Sequence, residues 1–204
     1  MTDLTQTLLH RRRLLKGLAA ALPLALATPR LAYAITEGNT EAISVPDLGP
    51  RELSFFHTHT DERLSVVYFD GQDYVPEALD QLNHLMRDFR TGESREIDPG
   101  VFDLLNSLCG LCGNGTFDIV SAYRSPHTNA MLRATRGRGV AKRSLHMEGK
   151  AVDIRLNGRA TPQLQRAAIA LGRGGVGYYP ESNFIHIDTG TPRTWGAKAK
   201  RAKA

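Results

Sequence analysis

The chain has 204 residues and a mass of 22.4 kDa, room for one ordinary domain with terminal extensions and none for a multi-domain machine. Hydrophobic residues make up 41%, aromatic 7% and charged 23%, the composition of a folded globular protein rather than a disordered, collagen-like or membrane-embedded one. The net charge of +5 is concentrated at the ends: Arg11, Arg12, Arg13, Lys16 and Arg30 stand at one, Lys198, Lys200, Arg201 and Lys203 at the other, and the part between is slightly acidic. With no basic helix interleaved with aromatics, a nucleic-acid partner is not expected.

Arg11-Arg12-Arg13-Leu14-Leu15-Lys16 leads into a short apolar stretch, Gly17 to Ala27, which contains Pro23. A spanning helix needs about 20 apolar residues, so the segment reads as a secretory signal. Ala32-Tyr33-Ala34 predicts cleavage after Ala34. The paired arginines resemble a twin-arginine signal, which implies the twin-arginine export machinery as a partner and a periplasmic destination. Such a protein is exported folded and can take up a metal beforehand in the cytoplasm. Residues 35–50 read as a linker, 51–195 as the domain and 196–204 as a basic tail.

Alternation at Leu53, Phe55 and His57, and again at Leu64, Val66 and Tyr68, predicts two strands paired as an antiparallel hairpin. Pro76 opens a helix carrying Leu79, Leu82, Leu85, Met86 and Phe89, ending near Gly92. Asp98-Pro99 opens a second, lined by Val101, Leu104, Leu105 and Leu108. A strand at 117–121 and a helix from Pro126 to Arg136 follow. Residues 137–148, rich in Gly, Arg and Lys, predict an exposed loop before a short strand at 151–155. Thr161-Pro162 starts the last helix, and strands at 176–179 and 184–188 close the domain. The sum is a single α+β domain with a small antiparallel sheet and flanking helices.

Four positions attract chemistry: Arg124 after a strand, His146 in the glycine-rich loop, Asp153 on the next strand and His186 on the last. Two imidazoles and a carboxylate suit a catalytic zinc ion, which takes three protein ligands and keeps a fourth position open. His146 and Asp153 are seven apart, about 10 Å along a continuous helix. A turn at Gly149 is needed to bring them together.

Ser144-Leu-His146-Met-Glu-Gly149-Lys-Ala151-Val-Asp153 resembles the S-x-H-x-x-G-x-A-x-D signature of the zinc D-alanyl-D-alanine peptidase and hedgehog-like superfamily. Phe184-Ile-His186-Ile-Asp188 resembles the strand that supplies its third ligand. His59-Thr60, Arg87-Asp88-Phe-Arg90, Ser121-Ala-Tyr-Arg-Ser-Pro126, Gly174-Gly-Val-Gly-Tyr-Tyr179, Asp188-Thr-Gly190, Arg193 and Trp195 are similar to its murein endopeptidase branch. The resemblance covers about residues 51–195. It implies a zinc peptidase acting on peptidoglycan peptides, with His146, Asp153 and His186 as Zn2+ ligands and Arg124 holding a substrate carboxylate or carbonyl. Two imidazoles and one carboxylate leave the site a net +1, suited to polarising a scissile carbonyl. Carboxypeptidase action on D,D or L,D stem-peptide bonds, or peptidoglycan binding without catalysis, are the alternatives.

Asp188, two residues beyond His186 on a strand, shares its face and is the favoured general base or ligand-orienting group; Glu181 and Glu148 are the alternatives. Ser121 and Tyr123 are candidate groove residues beside Arg124, and Ser144 a group that orients the His146 loop. Tyr178, Tyr179 and Trp195 are candidates for the rim. His57-Thr-His59 reads as hydrogen-bonded structural histidines rather than a metal pair. Cys109-Gly-Leu-Cys112 has redox spacing but lies at the end of an apolar helix, the wrong place for a thiol exchanger. A local disulfide or two separated thiols are expected.

Overall fold

Alternating apolar residues build β1 (Arg51–His57) and β2 (Arg63–Phe69), which pair antiparallel as expected. The computed structural model describes residues 49–136 and 140–197. The predicted signal and cleavage site, nearly all of the predicted linker and the tail beyond Ala197 lie outside the described residues.

Helix α1 (Pro76–Leu85) starts at a proline but ends earlier than its apolar spacing predicts. Asp88 is the cause. Its carboxylate accepts the Arg90 N–H at 3.0 Å, and its carbonyl takes the N–H groups of Thr91 and Gly92, so the chain closes into a turn. Helix α2 (Pro99–Cys112) begins where Asp98 accepts the Gly100 N–H at 2.9 Å. Cys109 and Cys112 at its end are free thiols, both with pKa values raised by burial.

Strand β3 (Thr116–Ser121) leads to α3 (Pro126–Arg136), and β4 (Ala151–Leu156) to α4 (Thr161–Leu171). Strands β5 (Gly175–Tyr179), β6 (Phe184–Asp188) and β7 (Arg193–Gly196) complete a seven-stranded sheet in the order β2-β1-β3-β4-β6-β5-β7. The α+β class is as expected, but the sheet is larger than predicted and mixed. β1 lies parallel to β3, and β7, which no alternation announced, lies parallel to β5. Both parallel pairings join strands distant in sequence, which local patterning does not encode.

One face of the central strands carries Ile119, Val152, Ile154, Ile185, Ile187 and Val176, all buried. Helix α4 packs on β4, β5 and β6, and α2 packs on β1 and α4. Phe55, Phe102, Phe117 and Leu105 are fully out of water, each contributing about 2 kcal/mol of apolar burial. The opposite face of β4, β6 and β5 is left for the site. Among the described residues, no helix is long and apolar enough to cross a membrane.

Candidate active site

The register of the sheet sets one row of residues side by side: Trp195 on β7, Gly177 on β5, His186 on β6, Asp153 on β4 and Ser121 on β3. A bulge between Ile119 and Ser121 sets Ser121 opposite Asp153. His146 arrives from outside the row. The loop predicted to be exposed is exposed at Ala141, Lys142 and Arg143, then dives inward, burying Ser144 and His146 in a single 3-10 turn, Leu145–Glu148. Gly149 ends that turn at φ 70°, with its α-carbon against the Glu96 carbonyl where a side chain would collide. This reversal brings His146 back over Asp153, as the sequence required.

His146, Asp153 and His186 each offer one ligand atom, all lying within 4.8 Å of one another. His146 Nε2 is 3.0 Å from His186 Nδ1 and 3.3 Å from Asp153 Oδ1; His186 Nδ1 is 3.0 Å from the same oxygen. Four ligands about 2.05 Å from a tetrahedral ion stand about 3.3 Å apart, so the spacing fits zinc. The proton arrangement fits as well. The Ala122 carbonyl, 2.7 Å from His146 Nδ1, can only accept, so that nitrogen carries the hydrogen. Asp188 Oδ2, 2.9 Å from His186 Nε2, does the same for the second ring. When both rings are neutral, two nitrogen lone pairs and a carboxylate oxygen face one another with no hydrogen between them, a set that calls for a cation.

The electrostatics favour this arrangement at His146 and Asp153 and run the other way at His186. Burial pushes the His146 pKa down and favours the neutral ring. Burial acts likewise on His186, but its bonds to Asp153 and Asp188 outweigh it and raise the value. Asp153 is held far below the usual carboxylate range by the two imidazoles, against the opposing effect of its burial.

Asp188 lies behind His186. Fully buried, it accepts from His186 Nε2, from Arg193 Nη1 and Nη2 at 3.1 and 2.7 Å, and from the Gly175 and Gly190 N–H groups at 2.9 Å each. Burial opposes its charge, but the bonds to His186 and Arg193 keep it ionised to well below the usual pH. With five donors around it, the carboxylate is turned to the side of the His186 ring away from Asp153. Glu148, paired with Lys150 at 3.1 Å, and Glu181 are exposed and line no part of the cavity.

That cavity, about 350 Å3, holds the cluster and is walled by Arg124, Arg143, Arg193, Tyr179, Phe184 and Trp195 among others; Asp153 is its one acidic lining residue among those described. Arg124 Nη2 is 3.7 Å from Asp153 Oδ2, and its backbone N–H donates to the His146 carbonyl at 3.2 Å. Tyr179 and Trp195 reach the cavity, whereas Tyr178 joins the core. Ser144 lines the cavity and holds its loop by accepting the Met147 N–H at its carbonyl, with no side-chain cap bond. Ser121 does not reach the wall, and Tyr123 is buried in the core. β3 ends at Ser121, so the strand alternation that linked the two does not continue. His57 is buried, accepts the His59 N–H at 3.2 Å and lies away from the cluster, while His59 stacks on Phe89 with 4.0 Å between ring centres. Sequence reasoning missed the place of Arg143 on the cavity wall and the pairing of Arg193 with Asp188; the Gly-Val-Gly of β5 was the one local signal for the latter.

An α+β sheet carrying a buried His-Asp-His cluster in an arginine-walled cavity defines the peptidase class to which the comparisons point. Residues 46–195 match the family described as peptidoglycan L,D-endopeptidase MepK, and the chain belongs to that family. Among its relatives, the peptidoglycan L,D-endopeptidase MepK of Escherichia coli (strain K12) is 48% identical over 147 residues, 72% of this chain and 80% of that protein. The probable peptidoglycan L,D-endopeptidase MepK of Haemophilus influenzae is 43% identical over 148 residues, 72% of this chain and 79% of its own. No solved structure matches the chain.

Proposed function

We propose that this protein is an exported, zinc-dependent murein endopeptidase that hydrolyses an amide bond in peptidoglycan cross-links. The observation that carries this reading is the triangle of His146 Nε2, Asp153 Oδ1 and His186 Nδ1 in a cavity walled by arginines. His146, Asp153 and His186 would hold Zn2+ there, which would supply Lewis acidity and an activated water. The Ala122 carbonyl and Asp188 fix the ring tautomers that present lone pairs to the ion. Arg124 holds a substrate carboxylate beside the bond to be cut. Arg124, Arg143 and Arg193 give the wall a positive field suited to stem peptides, which carry several free carboxylates. The names of the relatives support cross-link cleavage over removal of a terminal residue. The twin-arginine-like N-terminus supports export to the periplasm, where this substrate lies.

The test is mass spectrometry of muropeptides after cross-linked sacculi are incubated with zinc-loaded protein. Wild type should release new monomers whose masses identify the bond, and His146→Ala should lose both zinc and cleavage while keeping its far-UV circular dichroism. Cleavage by the variant would remove the metal assignment, and shortened stems with cross-links intact would replace the endopeptidase by a carboxypeptidase.

A further inference from the structure

Trp195 Nε1 and the Tyr179 hydroxyl oxygen are 2.9 Å apart, and the direction of that bond is fixed by chemistry. An indole N–H donates and cannot accept, so the tyrosine oxygen is the acceptor. The hydroxyl keeps its own proton, which has no acceptor among the described residues. Tyr179 lines the cavity, and its ring is stacked on Phe184 with 4.7 Å between centres. Trp195 in turn lies 5.0 Å from the His186 ring. The hydroxyl is thereby held on an aromatic mount that connects through Trp195 to the His186 ring, its hydrogen available to the cavity.

The sheet order adds a second constraint. Arg124 follows β3 and reaches the cluster from the β3 side of Asp153, whereas Tyr179 stands on β5, beyond His186. A peptide laid over the cluster meets a guanidinium on one flank and a phenolic donor on the other. Among the described residues, Asp153 is the one acid that lines the cavity. On the endopeptidase reading above, we infer that Tyr179 is a further catalytic residue: its O–H donates a hydrogen bond to the scissile carbonyl oxygen as that oxygen becomes negative. The hydroxyl keeps its proton throughout. Trp195 is the positioning residue that aims it.

Tyr179→Phe keeps the ring and its stack and removes the donor alone. The expected result on a purified cross-linked muropeptide dimer is a fall in kcat on the order of 10²-fold with KM unchanged, the mark of a bond made in the transition state. A second readout is affinity for a phosphinate analogue of that dimer, whose tetrahedral anion stands in for the addition intermediate. Its affinity should fall in step with kcat, while binding of the monomeric product peptide and zinc content stay as in wild type. Trp195→Phe should show a smaller loss, and the double variant no more than Tyr179→Phe, because both changes act through one hydroxyl. Wild-type kcat and phosphinate affinity in Tyr179→Phe would overturn the assignment, as would a rise in KM alone or strictly additive losses. If wild-type protein itself cleaves no cross-link, the endopeptidase reading falls and this inference with it.

Discussion

Gly177 and Gly175 hold the site open by having no side chain. A Cβ at Gly177 would stand 2.6 Å from Trp195 Cε2, and one at Gly175 would stand 2.5 Å from Asp188 Oδ2 and 2.6 Å from Arg193 Nη1. One glycine clears the path by which the indole crosses β5 to reach His186; the other lets Arg193 cross to Asp188. The Gly-Val-Gly spacing is therefore a requirement of two cross-strand contacts, with Val176 between them turned to the core. Gly177→Ala should displace the indole, with a stability loss of about 1–3 kcal/mol from overpacking. Trp195 is the single tryptophan, so its emission reports the change directly: a red shift with cleavage reduced and zinc retained is expected. An unaltered spectrum would mean that the sheet absorbs the extra methyl.

The element that positions Arg124 is the short segment between β3 and α3, and it is anchored by Asp88. Asp88 Oδ2 accepts the Ser125 N–H at 2.9 Å, Ser125 Oγ accepts the Thr128 N–H at 3.2 Å, and the Tyr123 N–H donates to the Met86 carbonyl at 3.0 Å. The early end of α1 is the cost of this arrangement, because the residue that anchors α3 has left its own helix to do so. Burial opposes the charge on Asp88, but the Ser125 and Arg90 N–H groups that it accepts help to outweigh it, keeping the carboxyl below its ordinary value. Its stabilising effect is complete above the unfolded value of about 3.9 and is lost as pH falls through the lower folded value. Asp88→Asn should therefore cost about 1–3 kcal/mol near neutral pH and less in acid, measured by urea unfolding at both. On the proposed function, KM should rise more than kcat falls, since Arg124 is displaced while the His146, Asp153 and His186 cluster stays intact. A variant with unchanged KM would separate Asp88 from substrate positioning.

At the scale of the whole molecule, the cluster joins a 3-10 turn and two strands, so an ion bound there ties His186 to two residues more than 30 positions before it in sequence. Binding to the folded state alone raises stability by about 4 kcal/mol when free ligand is 1,000 times Kd. Zinc should therefore raise Tm by several degrees and a chelator should reverse the rise, with neither acting on His146→Ala. A melting temperature indifferent to both in wild type would contradict a preformed site.

His146, Asp153 and His186 were legible because the turn at Gly149 and the strand alternation are local properties, readable from neighbours in the chain, and because the surrounding motif resembles a known signature. The hairpin, four helices and most strands were legible for the same reason. What local pattern leaves open is which distant segments meet. Only the tertiary structure decided that β7 lies beside β5, and so that Trp195 reaches Tyr179. It also decided that Asp188 spends its oxygens on His186, Arg193 and two backbone N–H groups instead of facing the cavity, and that Tyr123 turns into the core. The sequence by itself determined which kinds of side chain the site has to draw on; strand pairing, which is non-local, determined the direction each one faces.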